Sequence, residues 1–194
     1  QTWKNAYREI AQVFIDVEQE IYSHMLWEGF QPFKIVKIEE LSSDIKAFTV
    51  ESSQYDLSRF EPGEYITVDV SSDKMPYRAK RHYSIVAGTP QHLTFAVKRD
   101  VSTHHEGEVS TILHDELHEG DDINLSAPVG PFKVDNNRDK HLFLGAGIGV
   151  TPLVPMFKQV IDNDKQSHFI QVTADTDDTP FVNILSQYSE IGRA

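Results

Sequence analysis

The chain has 194 residues, with 18 Lys and Arg against 30 Asp and Glu, for a formal net charge of −12. That length supports one large domain or two small ones with a hydrophobic core, and the acidic balance argues against nucleic acid or an anionic membrane gripped through phosphates. Cysteine is absent, which removes disulfides, thiolate nucleophiles, iron–sulfur clusters and cysteine zinc sites, and no apolar run approaches the roughly 18–20 residues of a membrane helix.

Trp3, Ala6, Tyr7, Ile10, Val13, Phe14, Val17 and Ile21 recur at helical spacing, with Lys4, Arg8, Glu9, Gln12, Asp16, Glu18 and Gln19 filling most of the other side. The spacing predicts an amphipathic helix over 2–26, and its apolar stripe needs a partner. The sequence is expected to be a piece of a longer chain, with that partner upstream. Gly29 and Pro32 end the pattern, so a boundary is placed at 29/30.

From Phe33 the period drops to two. Phe33–Ile38, Ile45–Glu51, Tyr65–Val70, His82–Val86, Leu93–Lys98 and Ile123–Ser126 read as strands separated by turn clusters, which suggests an antiparallel barrel or sandwich over 30–136. One helix, Val109–Leu117, interrupts them. After Asp139 the pattern becomes strand (His141–Gly145), helix (Leu153 to Ile161), strand (His168–Val172) and helix (Phe181–Tyr188), the grammar of a parallel α/β sheet. Residues 137–194 are too few for a whole domain of that kind.

Three motifs carry chemistry. Gly145-Ala146-Gly147-Ile148-Gly149-Val150-Thr151-Pro152 joins an apolar strand to a helix. Its glycines let backbone approach a phosphate, and the helix start supplies free N–H groups and a positive dipole end. Thr151 suits the N-cap and Pro152 the first helical position, whereas Pro155 removes a further donor near the first turn. The spacing is G-x-G-x-G-x-T-P and differs from the common G-x-G-x-x-G fingerprint. In Arg81-His82-Tyr83-Ser84, alternation puts Arg81 and Tyr83 on one face and His82 and Ser84 on the other. Arg offers a planar fork for phosphate, Tyr an aromatic face, and Ser a hydroxyl for a ring nitrogen. Gly107-Glu108-Val109-Ser110 opens a helix and is either a second anion site or an ordinary capped start; Glu108 repels a diphosphate unless it points away.

His114 and His118 stand at i, i+4, but the residue after His114 is Asp, so the general base of a zinc-protease helix is misplaced. His104 and His105 sit in a polar loop. No metal site is expected.

The order of these motifs, with Pro128-Val129-Gly130-Pro131-Phe132 between the last two, resembles the ferredoxin–NADP reductase superfamily over about residues 33–190. Trp3, Ala6-Tyr7, Ala11, Phe14-Ile15, Glu18 and Glu20-Ile21-Tyr22 look like the last globin helix of flavohaemoglobins, and Pro62-Gly63-Glu64-Tyr65 and Ala96-Val97-Lys98-Arg99 match that family's reductase half. The resemblance implies a multi-domain fold. Residues 1–29 are then the end of a globin domain, 30–136 a β-barrel FAD domain, and 137–194 an incomplete NAD(P)-binding domain. It places Tyr65, Arg81, His82, Tyr83 and Ser84 on FAD, and Gly107, Val109 and Ser110 count among the cofactor-binding residues. It places Gly147, Ile148, Gly149, Val150, Thr151 and Pro152 on NAD(P)H. Glu20 falls on the glutamate that polarises the proximal histidine of haem b, whose ligand lies outside this chain. The implied activity is that of a nitric oxide dioxygenase, with electrons passing from NAD(P)H through FAD to haem, oxygen and nitric oxide as substrates, and a globin domain of the same polypeptide as partner. A cytoplasmic location is expected. Ala174-Asp175-Thr176-Asp177-Asp178 is acidic and leans toward NADH. Two other readings stay open: a reductase of the same superfamily with another acceptor, and a fragment that binds FAD without turnover.

Overall fold

A computed structural model describes residues 2–73, 75–100, 107–173 and 179–188. Its elements are α1 (Thr2–His24), β1 (Phe30–Glu40), β2 (Ile45–Glu51), β3 (Tyr65–Val70), β4 (Ala79–Gly88), β5 (His92–Lys98), α2 (Glu108–Asp115), β6 (Asp122–Ser126), β7 (Lys140–Ala146), α3 (Leu153–Asp162), β8 (Gln166–Val172) and α4 (Val182–Leu185). The order matches the periodicity of the sequence. β4 is longer than alternation alone predicts, because Ala79, Lys80 and Arg81 pair with Val70, Asp69 and Val68 although Lys80 and Arg81 are charged.

The first six strands close a barrel in the order β1-β2-β5-β4-β3-β6, all neighbours antiparallel. Closure removes the sheet edges that would otherwise template aggregation. Ile35, Phe48, Ile66, Val68, Ile85 and Phe95 fill the interior and are fully buried. Phe48 and Phe95 stack across β2 and β5 with ring centroids 5.6 Å apart. α2 adds Val109, Ile112 and Leu113 to the same core, which their i, i+3, i+4 spacing allows.

β7 and β8 pair in parallel in register Lys140↔Gln166 to Ala146↔Val172, with α3 as the crossover. Phe143, Val150, Leu153, Val154, Phe157, Val160, Phe181 and Leu185 form a second core together with Ile45, Val86 and Ala96 from the barrel wall. Barrel and α/β region therefore share a hydrophobic joint. The other face of the two strands carries Leu142, Leu144, Ile170 and Val172, all exposed. The helix expected over 181–188 is confined to α4, because Phe181 takes a left-handed φ of 65° and stands outside it.

α1 buries none of its residues. Trp3, Tyr7, Ile10, Val13, Phe14, Val17 and Ile21 all lie open to solvent. Just after it the chain is fixed firmly. Trp27 is 5% exposed, donates its indole N–H to the Leu125 carbonyl at 3.1 Å, and meets the rings of Phe33 and Tyr55 at 4.9 and 5.0 Å. Trp27 thus fastens the end of α1 to β1 and β6.

Two outcomes follow. Trp27→Ala leaves a cavity between Phe33 and Tyr55 and removes the bond to the Leu125 carbonyl, and lowers unfolding free energy by about 3–5 kcal/mol in urea titration. His114, on α2, is buried and bonded through Nε2 to the Val97 carbonyl at 3.0 Å; burial lowers its pKa from the ordinary 6.5. The folded chain then holds that proton less tightly than the unfolded chain. The stability tied to this group is complete above about pH 6.5 and is lost as pH falls below it. The urea midpoint should fall between about pH 7 and about pH 5, and fall less in His114→Gln.

Candidate functional site

Three of the barrel's motif residues gather on the outer face of β3 and β4. Tyr65 pairs with Ser84 and Thr67 with His82. The Tyr65 and His82 rings are 4.7 Å apart, and Thr67 Oγ1 lies 2.9 Å from His82 Nδ1. Tyr65 exchanges both backbone hydrogen bonds with Val129, at 2.9 and 3.0 Å. That pairing brings Gly130 against the Tyr65 ring, where a Cβ would come within 3.3 Å of it. The Pro128–Phe132 motif therefore buttresses the tyrosine.

Arg81 and Tyr83 lie on the other face, as alternation requires, opposite Val68 and Ile66. Tyr83 is half-buried with its ring 5.8 Å from Phe95, and burial pushes its phenol up to about 12. Arg81 is exposed; Nη1 donates to the Lys80 carbonyl at 2.8 Å, which leaves the outer part of the guanidinium fork for an anion.

α2, which opens at Gly107–Ser110, packs on β4 and β5. Gly107 occupies the N-cap position with no side-chain cap, so the first-turn amides of Glu108, Val109 and Ser110 have no partner in the helix ladder. Side chains here do other work. Val109 is buried in the barrel core. Ser110 Oγ donates to the Gly107 carbonyl at 2.9 Å and accepts from the Asp100 amide at 3.1 Å, tying α2 to the end of β5. Both Glu108 carboxylate oxygens face the Tyr77 hydroxyl at 2.7 Å. Thr111 Oγ1 is buried with no hydrogen-bond partner among the described residues.

At the glycine-rich turn, Gly147–Val150 winds into a 3-10 turn that packs on β5 and β8. Gly145 is needed for packing, since a Cβ there would sit 2.8 Å from the Val150 side chain. Gly147 has φ +50°, and at Gly147 and Gly149 a Cβ would point into open space. Thr151 does not cap α3. It is itself helical, and its buried hydroxyl donates back to the Ile148 carbonyl at 2.6 Å. Pro152 takes the N-cap position of α3 instead of its first turn. Pro155 costs no hydrogen bond, because it is the third residue of the helix and its N–H would have no ladder partner.

The turn and the barrel strip meet at β4. Val86 belongs to the second core with Val150 and Leu153, and Ser84 lies two residues back on the same outer face. Ser84 stands at the seam between the two parts. Glu20 is exposed on α1 and separate from this cluster.

The two helix histidines have separate roles. His114 is buried, whereas His118 is exposed with its ring 3.7 Å from Asp121. No cluster able to hold a metal occurs among the described residues. His104, His105 and Ala174–Asp178 lie outside them. No described helix is long and apolar enough to cross a membrane. A polar cleft of about 640 Å³ between Lys34, Glu51, Tyr55, His92 and Asp122 contains none of the motif residues; Lys34 and Asp122 there are paired at 2.8 Å.

Sequence periodicity misses the Tyr77–Glu108 contact, because the partners are 31 residues apart in elements whose approach depends on the closed barrel. It also misses Thr67, which lies in the strand pattern without a motif of its own.

Residues 32–134 match the family model of oxidoreductase FAD-binding domains. The flavohemoprotein of Bacillus subtilis (strain 168) is 33% identical over 183 residues, covering 90% of this chain and 44% of that protein, so the chain spans less than half the length of this curated relative. The flavohem-like FAD/NAD-binding domain of nitric oxide dioxygenase from Vibrio cholerae O1 biovar El Tor has a TM-score of 0.74 at 25% identity, covering 83% of this chain and 70% of that one. The flavohemoglobin of Malassezia yamatoensis, solved with FAD and haem, shares the fold at a TM-score of 0.76 and 18% identity, over 96% of this chain and 49% of that one. Coverage that broad takes in α1 as well as the barrel. With a family match that runs across the barrel and over more than half of the sequence, the chain belongs to the oxidoreductase FAD-binding domain family, in the ferredoxin–NADP reductase superfamily.

Proposed function

We propose that this chain is the reductase portion of a flavohaemoglobin, a nitric oxide dioxygenase that uses NAD(P)H, oxygen and nitric oxide and forms nitrate. Residues 1–29 are the end of its globin domain, 30–136 its FAD domain and 137–194 part of its NAD(P) domain, in the cytoplasm. The observation that carries this reading is the path of the chain. An exposed amphipathic helix is fastened by Trp27 to a flavin-family barrel, and Val86, two residues past Ser84 on the barrel wall, shares a core with Val150 of a glycine-rich strand-to-helix turn.

The residues present fit the two nucleotides. The uncapped start of α2 and the exposed Arg81 fork suit a diphosphate. The open space at Gly147 and Gly149 suits close approach of a second phosphate group. FAD, when bound, converts a two-electron hydride donor into single electrons for haem iron.

The chain's own part is binding and orientation. Arg81 would hold the FAD diphosphate, together with the backbone of Gly107, Val109 and Ser110 at the start of α2. Ser110 serves through its amide, since its hydroxyl is committed to Gly107. Tyr65 and Tyr83 offer aromatic faces for the flavin. Ser84 would offer its hydroxyl to the flavin ring nitrogen that accepts hydride. His82 steadies Tyr65 by ring contact and is itself held by Thr67. Gly147, Ile148, Gly149 and Val150 carry the NAD(P)H phosphates, and Thr151 and Pro152 set the turn's exit into α3. Glu20 would polarise the proximal histidine of haem b, a ligand carried by the globin portion of the polypeptide.

Arg81→Ala tests this placement. The protein is loaded with excess FAD, desalted and examined by visible absorption. Wild type should keep flavin bands without a haem band, and the variant should lose FAD affinity about tenfold or more. Equal retention by the two proteins would contradict the placement.

A further inference from the structure

The segment between β3 and β4 crosses to α2 and is fastened at several points. Ser72 Oγ donates to Glu116 Oε2 at 2.8 Å, at the far end of α2. Arg78 Nε donates to the buried Asp69 carboxylate at 3.0 Å, and its Nη2 to the Asp69 carbonyl at 3.3 Å. Tyr77, between these anchors, places its hydroxyl 2.7 Å from each oxygen of Glu108. Glu108 is the first residue of α2, the end whose free amides attract anions.

That position sets two demands against each other. A carboxylate in the first turn favours the helix, yet it opposes any other anion bound there. Tyr77 is 51% exposed, so core packing does not explain its orientation. Its hydrogen bond to Glu108 raises the phenol's pKa, while the positive charge of nearby Arg81 acts the other way. The hydroxyl therefore stays a proton donor around neutral pH, and both Glu108 and Arg81 lie within electrostatic reach of it.

We infer that Tyr77 is a positioning residue for cofactor binding, whose hydroxyl holds the Glu108 carboxylate to itself and keeps that charge from opposing a diphosphate bound by Arg81 and the first turn of α2. The inference rests on the flavin reading above. A neutral donor suits this task, because it satisfies the carboxylate without adding a cation that would compete with Arg81 for the diphosphate.

The test compares wild type, Tyr77→Phe, Glu108→Gln and the double variant by FAD titration, read as quenching of flavin fluorescence, with urea midpoints for each. Tyr77→Phe should bind FAD about fivefold more weakly at low salt. Its deficit should shrink toward 1 M salt, where screening acts over about 3 Å. Glu108→Gln should bind at least as tightly as wild type, and the double variant should match Glu108→Gln. An unchanged Tyr77→Phe, or a double variant as weak as Tyr77→Phe, would overturn the inference; a lowered urea midpoint with no rescue would assign Tyr77 a structural role and overturn it too. FAD binding by wild type that survives Arg81→Ala would contradict the Arg81 placement separately, and no FAD binding by wild type would remove both readings.

Discussion

Along β4 the covering changes within six residues, and the arrangement of the molecule depends on that change. Ile85 faces the barrel interior and Val86 the second core beneath α3. Lys80, Arg81 and His82 are exposed, and Tyr83 and Ser84 are half-buried between these extremes. A strand buried on both faces cannot bind a ligand, and one open on both faces has little to hold it in place. β4 is both in turn: its buried end is clamped by two hydrophobic cores, and its open end presents polar groups on a backbone held by the ladder to β3. Side chains mounted on such an element keep their geometry better than side chains on loops.

The same contrast explains how three separate motifs converge. The barrel brings β3 beside β4, so that Tyr65 meets Ser84 and His82. α2 is drawn against β4 because Val109, Ile112 and Leu113 complete the barrel core, which leaves its uncapped start beside Tyr77. The 3-10 turn at Gly147 lies against the barrel wall because Val150 and Leu153 share a core with Val86 and Ala96. In each case apolar burial fixes the element and polar groups are carried along with it. At about 25 cal/mol per Å² of apolar surface, such burial outweighs the individual polar contacts at the site.

Much of this is legible in the sequence. Period-two alternation locates all six barrel strands, and the apolar spacing of 153–161 locates α3. The face assignment of Arg81 and Tyr83 against His82 and Ser84 is also a matter of period two. Hydroxyl groups are harder to place. Ser110 and Thr151 suit anion binding and helix capping by type, but each turns back onto a nearby carbonyl, a local competition that spacing cannot decide. The Tyr77–Glu108 bond depends on a loop crossing between elements, so no local pattern announces it. α1 is the opposite case. Its helical period is plain, yet its apolar stripe stays exposed, a burial outcome that periodicity alone does not decide.

Hydrogen–deuterium exchange with and without FAD measures most directly whether this surface is the flavin site. Added FAD should slow exchange in β3 and β4 around Tyr65 and Arg81–Ser84 and in the first turn of α2, with little change in α1 or around the cleft at Lys34 and His92. Protection centred on that cleft, or none at β4 and α2 in protein that retains flavin, would contradict the placement.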